Sequence, residues 1–186
     1  MLPSAFIPFF AASVGVSGAL IGLLFIAISI APERTVGKAA PPERAAVAGA
    51  AFTALTNVFF VSFVGLIPLN TVGPVTIMLG ILSCTATVRL TVGLLHSGDE
   101  HRTRLTLTQL VRRMSLGVGS LLIYGLEIWQ GARVIVVGGR GAETVAGIAF
   151  LIVFIYGLAL VRMWSLLGAR KESLLAWFSI LNDLHE

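Results

Sequence analysis

Charged residues are scarce in this sequence. Asp, Glu, Lys and Arg make up 12% of the 186 residues, whereas soluble globular domains contain about 25%. Hydrophobic residues reach 56%, which is above the roughly 45–50% of soluble domains. This composition excludes a water-soluble enzyme, a disordered tail and a nucleic-acid-binding module, and it indicates an integral membrane protein.

Reactive and metal-binding side chains are also few. Cys84 is the only cysteine, so no disulfide forms within the chain. The histidines His96, His101 and His185 lie near or beyond the ends of apolar segments, away from the serines inside them. A serine nucleophile therefore has no base beside it, and the spacing of potential ligands matches no closed metal site. The sequence predicts no enzyme activity, no cofactor and no metal.

The sequence contains several long segments without charged residues. A bilayer core about 30 Å thick is crossed by about 20 apolar residues in a helix, and these runs are too long and continuous for barrel strands. The run from Ala45 to Val88 is long enough for two crossings, with a turn at residues 70–74. The predicted spans are Ala5–Ile30, Ala45–Leu69, Pro74–His96, Arg113–Val137 and Thr144–Leu167.

Basic residues predict how this bundle is oriented. Arginine and lysine accumulate in cytoplasmic segments of membrane proteins. If the N-terminus is outside, only Arg133 and Arg140 fall on the outer side. The inner side then holds the remaining loop and tail residues, Arg34, Lys38, Arg44, Arg102, Arg104, Arg112, Arg113, Arg170 and Lys171. The fold class is therefore predicted as an all-α, polytopic bundle of five transmembrane helices, N-out and C-in.

Two polar segments accompany the spans. Residues 97–113 are polar and basic, with apolar residues at helical spacing, and predict a short interfacial helix that runs into span four. Residues 169–186 carry apolar side chains on one helical face and predict an amphipathic cytoplasmic helix. The chain thus divides into a transmembrane domain, 1–168, and a tail, 169–186.

Several polar side chains fall at mid-membrane depth. Ser17, Asn57 and Ser83 lie at similar levels of spans one, two and three, and Thr87 follows Ser83 on one helical face. That face also carries Thr76 and Thr91. One interpretation is that these groups line a narrow permeation path. The other is that they form interhelical hydrogen bonds or bond their own backbone.

Charged side chains within the spans include two arginines near inner ends and one acid. Arg89 and Arg162 are near inner ends, where long side chains can reach the membrane surface. Glu127 is the only acid inside a span, and its level differs from that of Arg89 by about 10 Å, which makes a direct ion pair doubtful. Glu127 is either a functional group facing protein or water, or an interfacial group beside Trp129 and Arg133.

Small residues concentrate in the first span. Gly15, Gly18 and Gly22 predict close packing against another helix, because small side chains let helix backbones approach in lipid. The run from Ser17 to Arg34, SGALIGLLFIAISIAPER, resembles the opening segment of a family of small bacterial integral membrane proteins. Some of these are labelled modulators of a membrane-bound AAA protease. The resemblance implies a bacterial inner (plasma) membrane location.

Two functions follow from these observations. The first is a homo-oligomeric channel or permeation pathway for small ions, in which close-packing glycines and a basic inner rim surround a narrow axis. The second is a non-conducting scaffold or regulator of a membrane protein complex, acting through residues 101–113 and the tail. In both, the partners are the lipid bilayer and further copies of the chain, with no nucleic acid.

Overall fold

The computed structural model describes residues 3–30, 32, 41–68, 71–99, 107–137 and 142–166, with the side chains at 95–99 and 107–116 left out. Five α-helices fill these ranges. They are α1 (Ile7–Ile30, preceded by a 3-10 turn at Ser4–Phe6), α2 (Pro42–Gly65), α3 (Val72–Asp99), α4 (Leu107–Val137) and α5 (Ala142–Leu166). Each contains a segment long and apolar enough to cross a membrane. The predicted all-helical, five-span architecture of a multi-pass membrane protein is confirmed to that extent.

Helix boundaries follow local sequence signals. Pro42 occupies the first turn of α2, where proline lacks only an N–H that has no helical partner. α2 ends at Gly65 and α3 begins at Val72, so residues 72–74 of the predicted break belong to a helix. The predicted interfacial helix is not a separate element in the described residues, because α4 continues without interruption from Leu107 to Val137. The predicted tail helix and residues 101–106 lie outside the described residues.

Packing places α2 at the centre of the bundle. It contacts α1, α3 and α5, while the most extensive helix contact is between α3 and α4. Buried α2 side chains such as Leu55 and Val58 pack with Ile148, Ile152 and Ile155 in one apolar core. Large apolar side chains such as Phe150, Phe154 and Leu122 are exposed on the outside, as expected where lipid replaces water.

Glycine allows the close approach of α3 and α4. A Cβ on Gly131 would lie 2.8 Å from Ile77 Cγ1 and 3.0 Å from the Gly73 carbonyl oxygen. A Cβ on Gly80 would lie 2.7 Å from Ile128 Cγ1. No side chain larger than hydrogen fits at these points without displacing its neighbour. The two helices are therefore held near contact distance along the segment that carries the polar residues described next.

Candidate functional site

The candidate site is a buried cluster of Asn57, Ser83 and Glu127, which we call the central cluster. The amide Nδ2 of Asn57 donates to Ser83 Oγ at 2.9 Å and to Glu127 Oε2 at 3.0 Å. All three side chains are at most 4% exposed. α2, α3 and α4 each contribute one residue, so the cluster forms only when the helices are packed together.

Several oxygen atoms at the central cluster have no hydrogen-bond donor among the described residues. They are Asn57 Oδ1, Glu127 Oε1 and the nearby Thr76 Oγ1. All three residues line one cavity of about 10 Å³, which is roughly the space needed by one water-sized particle. The remaining wall is apolar and comes from α2 and α5, with Ile148 and Ile152 among its residues. Residues that carry one carboxyl group, one amide and one hydroxyl therefore line a small, otherwise apolar cavity.

A polar stripe on α3 extends the site along the bundle. Thr76, Ser83 and Thr87 are buried on the same face, and Thr91 continues it one turn further. Thr87 donates to the Ser83 carbonyl oxygen and Thr91 donates to the Thr87 carbonyl oxygen, both at 2.8 Å. Thr76 does not form this bond to its own helix. From Thr76 to Thr91 the stripe spans about 22 Å of helix.

A second cavity lies at the other end of this stripe. It has a volume of about 30 Å³ and is lined by Thr87, Thr91, Ser120 and Arg162. Arg162 is 3% exposed, and its guanidinium donates to the Ala50 carbonyl oxygen at 3.2 Å and to Ser120 Oγ. The interpretation that Arg162 extends to the membrane surface is wrong, because its side chain turns inward to carbonyl and hydroxyl acceptors of α2 and α4.

Tyr124 lies between the two ends of the site. It is fully buried, one helical turn from Glu127 on one side and one turn from Ser120 on the other. It interacts electrostatically with both Glu127 and Arg162. The buried face of α4 thus presents a hydroxyl, a phenol and a carboxylate in sequence. Of these, sequence reasoning singled out only the carboxylate, although the spacing of 120, 124 and 127 is that of one helical face.

The other predicted site residues fall into different environments. Arg89 is exposed on α3, so the doubt about an Arg89–Glu127 pair was justified. The interfacial interpretation of Glu127 is wrong, since it is 3% exposed whereas its neighbour Trp129 is 62% exposed. Ser17 is fully buried but contacts none of the central cluster, and its hydroxyl donates to the Ser13 carbonyl oxygen at 2.7 Å.

Ser17 instead lies beside a separate set of hydroxyls, Ser13, Ser62 and Tyr156, which we call the serine cluster. Ser62 Oγ donates to Ser13 Oγ at 2.8 Å, and Ser13 Oγ lies 2.9 Å from the Tyr156 hydroxyl. The Tyr156 hydroxyl donates to the Ser13 carbonyl oxygen. This cluster joins α1, α2 and α5. Tyr156 gave no sequence signal, because a lone tyrosine in an apolar span has many possible neighbours.

The glycines of α1 do not make the predicted close contacts within the chain. Gly15, Gly18 and Gly22 are all exposed. A Cβ on Gly15 or Gly22 would have no atom within 4 Å, and one on Gly18 would only touch Phe59 at 3.9 Å. Within the chain, α1 packs through the face that carries Phe10, Ser13, Ser17 and Leu24, and the glycines lie on other faces. Close packing of the glycines against a helix of another copy stays a prediction.

Comparisons with known proteins add nothing to this geometry. No protein family, curated protein or solved structure matches the chain. Within the described residues, no group of three or more His, Cys, Asp or Glu side chains is arranged to hold a metal ion. The resemblance of residues 17–34 to small bacterial membrane proteins stays a prediction.

Proposed function

We propose that the protein is a permeation pathway for small cations, and that the path runs through the interior of each helix bundle. The observation that carries this proposal is Glu127, a deeply buried carboxylate with one oxygen unpaired beside a cavity. An acid inside a membrane span is costly, and such residues mark ion and proton paths in other membrane proteins. A carboxylate selects cations over anions.

The polar stripe supports a path rather than an isolated polar contact. Hydroxyl groups continue from Thr76 past the central cluster to Thr91, over about 22 Å of a bilayer core that is about 30 Å thick. The two cavities lie along this line, one at Glu127 and the other at Arg162. Hydroxyl and amide oxygens can replace part of the hydration shell of a small cation as it moves.

This conformation corresponds to the closed state of the proposed pathway. The cavities are small, and along α4 the fully buried Tyr124 lies between Ser120 at one cavity and Glu127 at the other. Arg162 places a positive charge at one end of the stripe, which opposes the passage of a cation. Opening therefore requires movement of α4 or α5, the helices that carry Tyr124 and Arg162.

The proposal changes where the sequence-predicted path runs. Asn57, Ser83 and Thr87 are each at most 7% exposed within one chain, so a symmetry axis between copies is not needed to bring them together. Homo-oligomeric assembly, the N-out and C-in orientation and the bacterial inner membrane remain predictions. The scaffold function, which depends on residues 101–113 and the tail, stays a prediction, since 101–106 and the tail lie outside the described residues.

Flux through liposomes tests the proposed function. Purified protein is reconstituted into vesicles that contain a Na⁺-sensitive or pH-sensitive dye, and an inward gradient of Na⁺ or H⁺ is applied. We expect flux above that of empty vesicles for the wild type and for Glu143→Gln, which removes an exposed carboxylate at the start of α5. We expect none for Glu127→Gln. Absence of flux for the wild type, or equal flux for both variants, would refute the pathway.

A further inference from the structure

We infer that Glu127, Asn57 and Thr76 form a binding site for one small monovalent cation, Na⁺ or Li⁺. The inference deepens the proposed function, since it names the ion held at the centre of the pathway. It rests on the contacts, burial and cavity at these three residues. Each residue is at most 3% exposed, lines the same cavity and carries an oxygen atom that has no partner among the described residues.

The unpaired atoms have the character of cation ligands. Asn57 uses both hydrogens of its amide on Ser83 and Glu127, which turns its carbonyl oxygen away from them. Glu127 accepts one bond at Oε2 and leaves Oε1 unpaired. The Asn57 carbonyl oxygen, and the Glu127 oxygen when the carboxyl group is ionised, can only accept hydrogen bonds. A cation can interact with both atoms directly, without donating a hydrogen bond.

Thr76 provides an independent indication. Threonine inside a helix usually donates to the carbonyl oxygen three or four residues earlier, and Thr87 and Thr91 on the same face do so. Thr76 is fully buried and makes no such bond. Gly80, one turn further along α3, lies against Tyr124 and Ile128 of α4. Thr76 and Glu127 are thereby held on the two helices at neighbouring levels.

Charge and size select the class of ion. One carboxylate with two neutral oxygens has a formal charge of −1, which a monovalent cation neutralises. Divalent ions bind more carboxylates or retain several waters, and a cavity of about 10 Å³ leaves no room for those waters. A neutral water would fill the space but would leave a buried carboxylate charge uncompensated, so the alternative to a bound cation is a protonated Glu127 with water in the cavity.

Thermal unfolding of the purified protein in detergent measures the binding. NaCl replaces choline chloride at constant ionic strength and pH 8.5, so that only the cation changes. We expect a saturable rise in Tm with Na⁺ and with Li⁺, and a smaller one with K⁺, because a ligand that binds only the folded state stabilises it. The Na⁺ midpoint should rise as the pH is lowered, since protons compete for the same carboxylate.

Matched variants identify the ligands. Glu127→Gln should abolish the Na⁺ response, while Glu143→Gln keeps it. Thr76→Val should weaken apparent Na⁺ affinity by about tenfold or more, as expected for loss of one buried ligand. Thr85→Val should not, since Thr85 is exposed and donates to its own helix at Leu82. If Glu127→Gln fails to fold, radioactive Na⁺ binding to the wild type and Thr76→Val decides the question.

The outcomes separate the ion site from the pathway. A Tm independent of Na⁺, or a response that persists in Glu127→Gln, would overturn the site and would point to a protonated carboxyl with water in the cavity. Proton flux through liposomes would still support the pathway in that case. Saturable Na⁺ binding without flux of any ion would support the site and refute the pathway.

Discussion

Two buried polar clusters contact different faces of α2, and they differ in how completely their hydrogen bonds are formed. In the serine cluster, Ser13, Ser62 and Tyr156 are neutral, and each hydroxyl has a partner. In the central cluster, Glu127 brings a carboxyl group, and Oε1 of Glu127 and Oδ1 of Asn57 lack donors among the described residues. The serine cluster joins α1 to α2 and α5, whereas the central cluster joins α2 to α3 and α4.

This difference suggests a structural role for the polar groups of the serine cluster and a functional role for those of the central cluster. Hydroxyl groups that bond one another across helices stabilise packing in lipid at little cost. An incompletely bonded acid in the same setting costs free energy unless a bound ion, a proton or a buried water satisfies it. The serine cluster demonstrates that this fold can satisfy its polar groups. Thr56, Thr71 and Gln130 also carry buried oxygen atoms without a partner among the described residues. The central cluster differs from them because its unpaired atoms include a carboxyl oxygen and belong to residues that line one cavity, as the proposed cation site requires.

The largest expected effect is the loss of cation flux when the central cluster is disrupted. A variant in the serine cluster is the comparison. Asn57→Leu removes the amide that positions Glu127 and fills part of the cavity, so we expect cation flux in liposomes to fall to the level of empty vesicles. Ser62→Ala should leave the flux per folded protein unchanged, because Ser62 bonds only within the serine cluster. Equal loss of flux in both variants would show that the two clusters do not have separate roles.

A second test changes the contact between α3 and α4 one helical turn from Glu127. Gly131→Val places a side chain 3.0 Å from the Gly73 carbonyl oxygen, and such overpacking costs about 1–3 kcal/mol in the free energy of unfolding. Since Gly131 lies one turn beyond Glu127, the variant should also reduce flux.

Gly22→Val on α1 is the matched control for this test. It introduces the same side chain where a Cβ has no atom within 4 Å, so thermal or SDS-induced unfolding should show no change. A cost at Gly22 comparable with that at Gly131 would indicate that the exposed face of α1 is covered by a second copy of the chain.

The contrast between these glycines illustrates what the sequence could and could not predict. Five uncharged runs were sufficient to predict five helices, because the length of an apolar run is set by the bilayer. The rotation of each helix about its axis was not predictable for α1, which is apolar on all sides. Gly15, Gly18 and Gly22 therefore appeared to be contact residues, although Ser13 and Ser17 lie on the packed face.

For the candidate site, the sequence predicts the depth of each polar residue in the membrane but not the face of the bundle on which it lies. Depth along a helix follows from counting residues, and Asn57 and Ser83, matched in depth, do form a hydrogen bond. Ser17 is buried like both of them but on another helix pair, which depth alone does not reveal. Whether Glu127 and Arg162 face lipid or protein depends on the partners that neighbouring helices offer, such as Ser120 and the Ala50 carbonyl.

The smallest expected effect is the difference in stability between the two clusters in Na⁺-free buffer. Ser62→Ala removes one interhelical hydrogen bond, and such bonds contribute about 0.6 kcal/mol on average and at most about 1.7 kcal/mol in membrane proteins. Glu127→Gln keeps an oxygen that accepts from the Asn57 amide, and it removes a buried carboxyl group. The free energy of unfolding should therefore stay the same, or increase where the buried charge destabilises the wild type. Reversible unfolding in SDS measures the change in the free energy of unfolding for each variant, and the two changes are expected to have opposite signs or the second to be near zero. If Glu127→Gln is the more destabilising of the two, the carboxylate contributes to the fold, and the distinction drawn between the clusters does not hold.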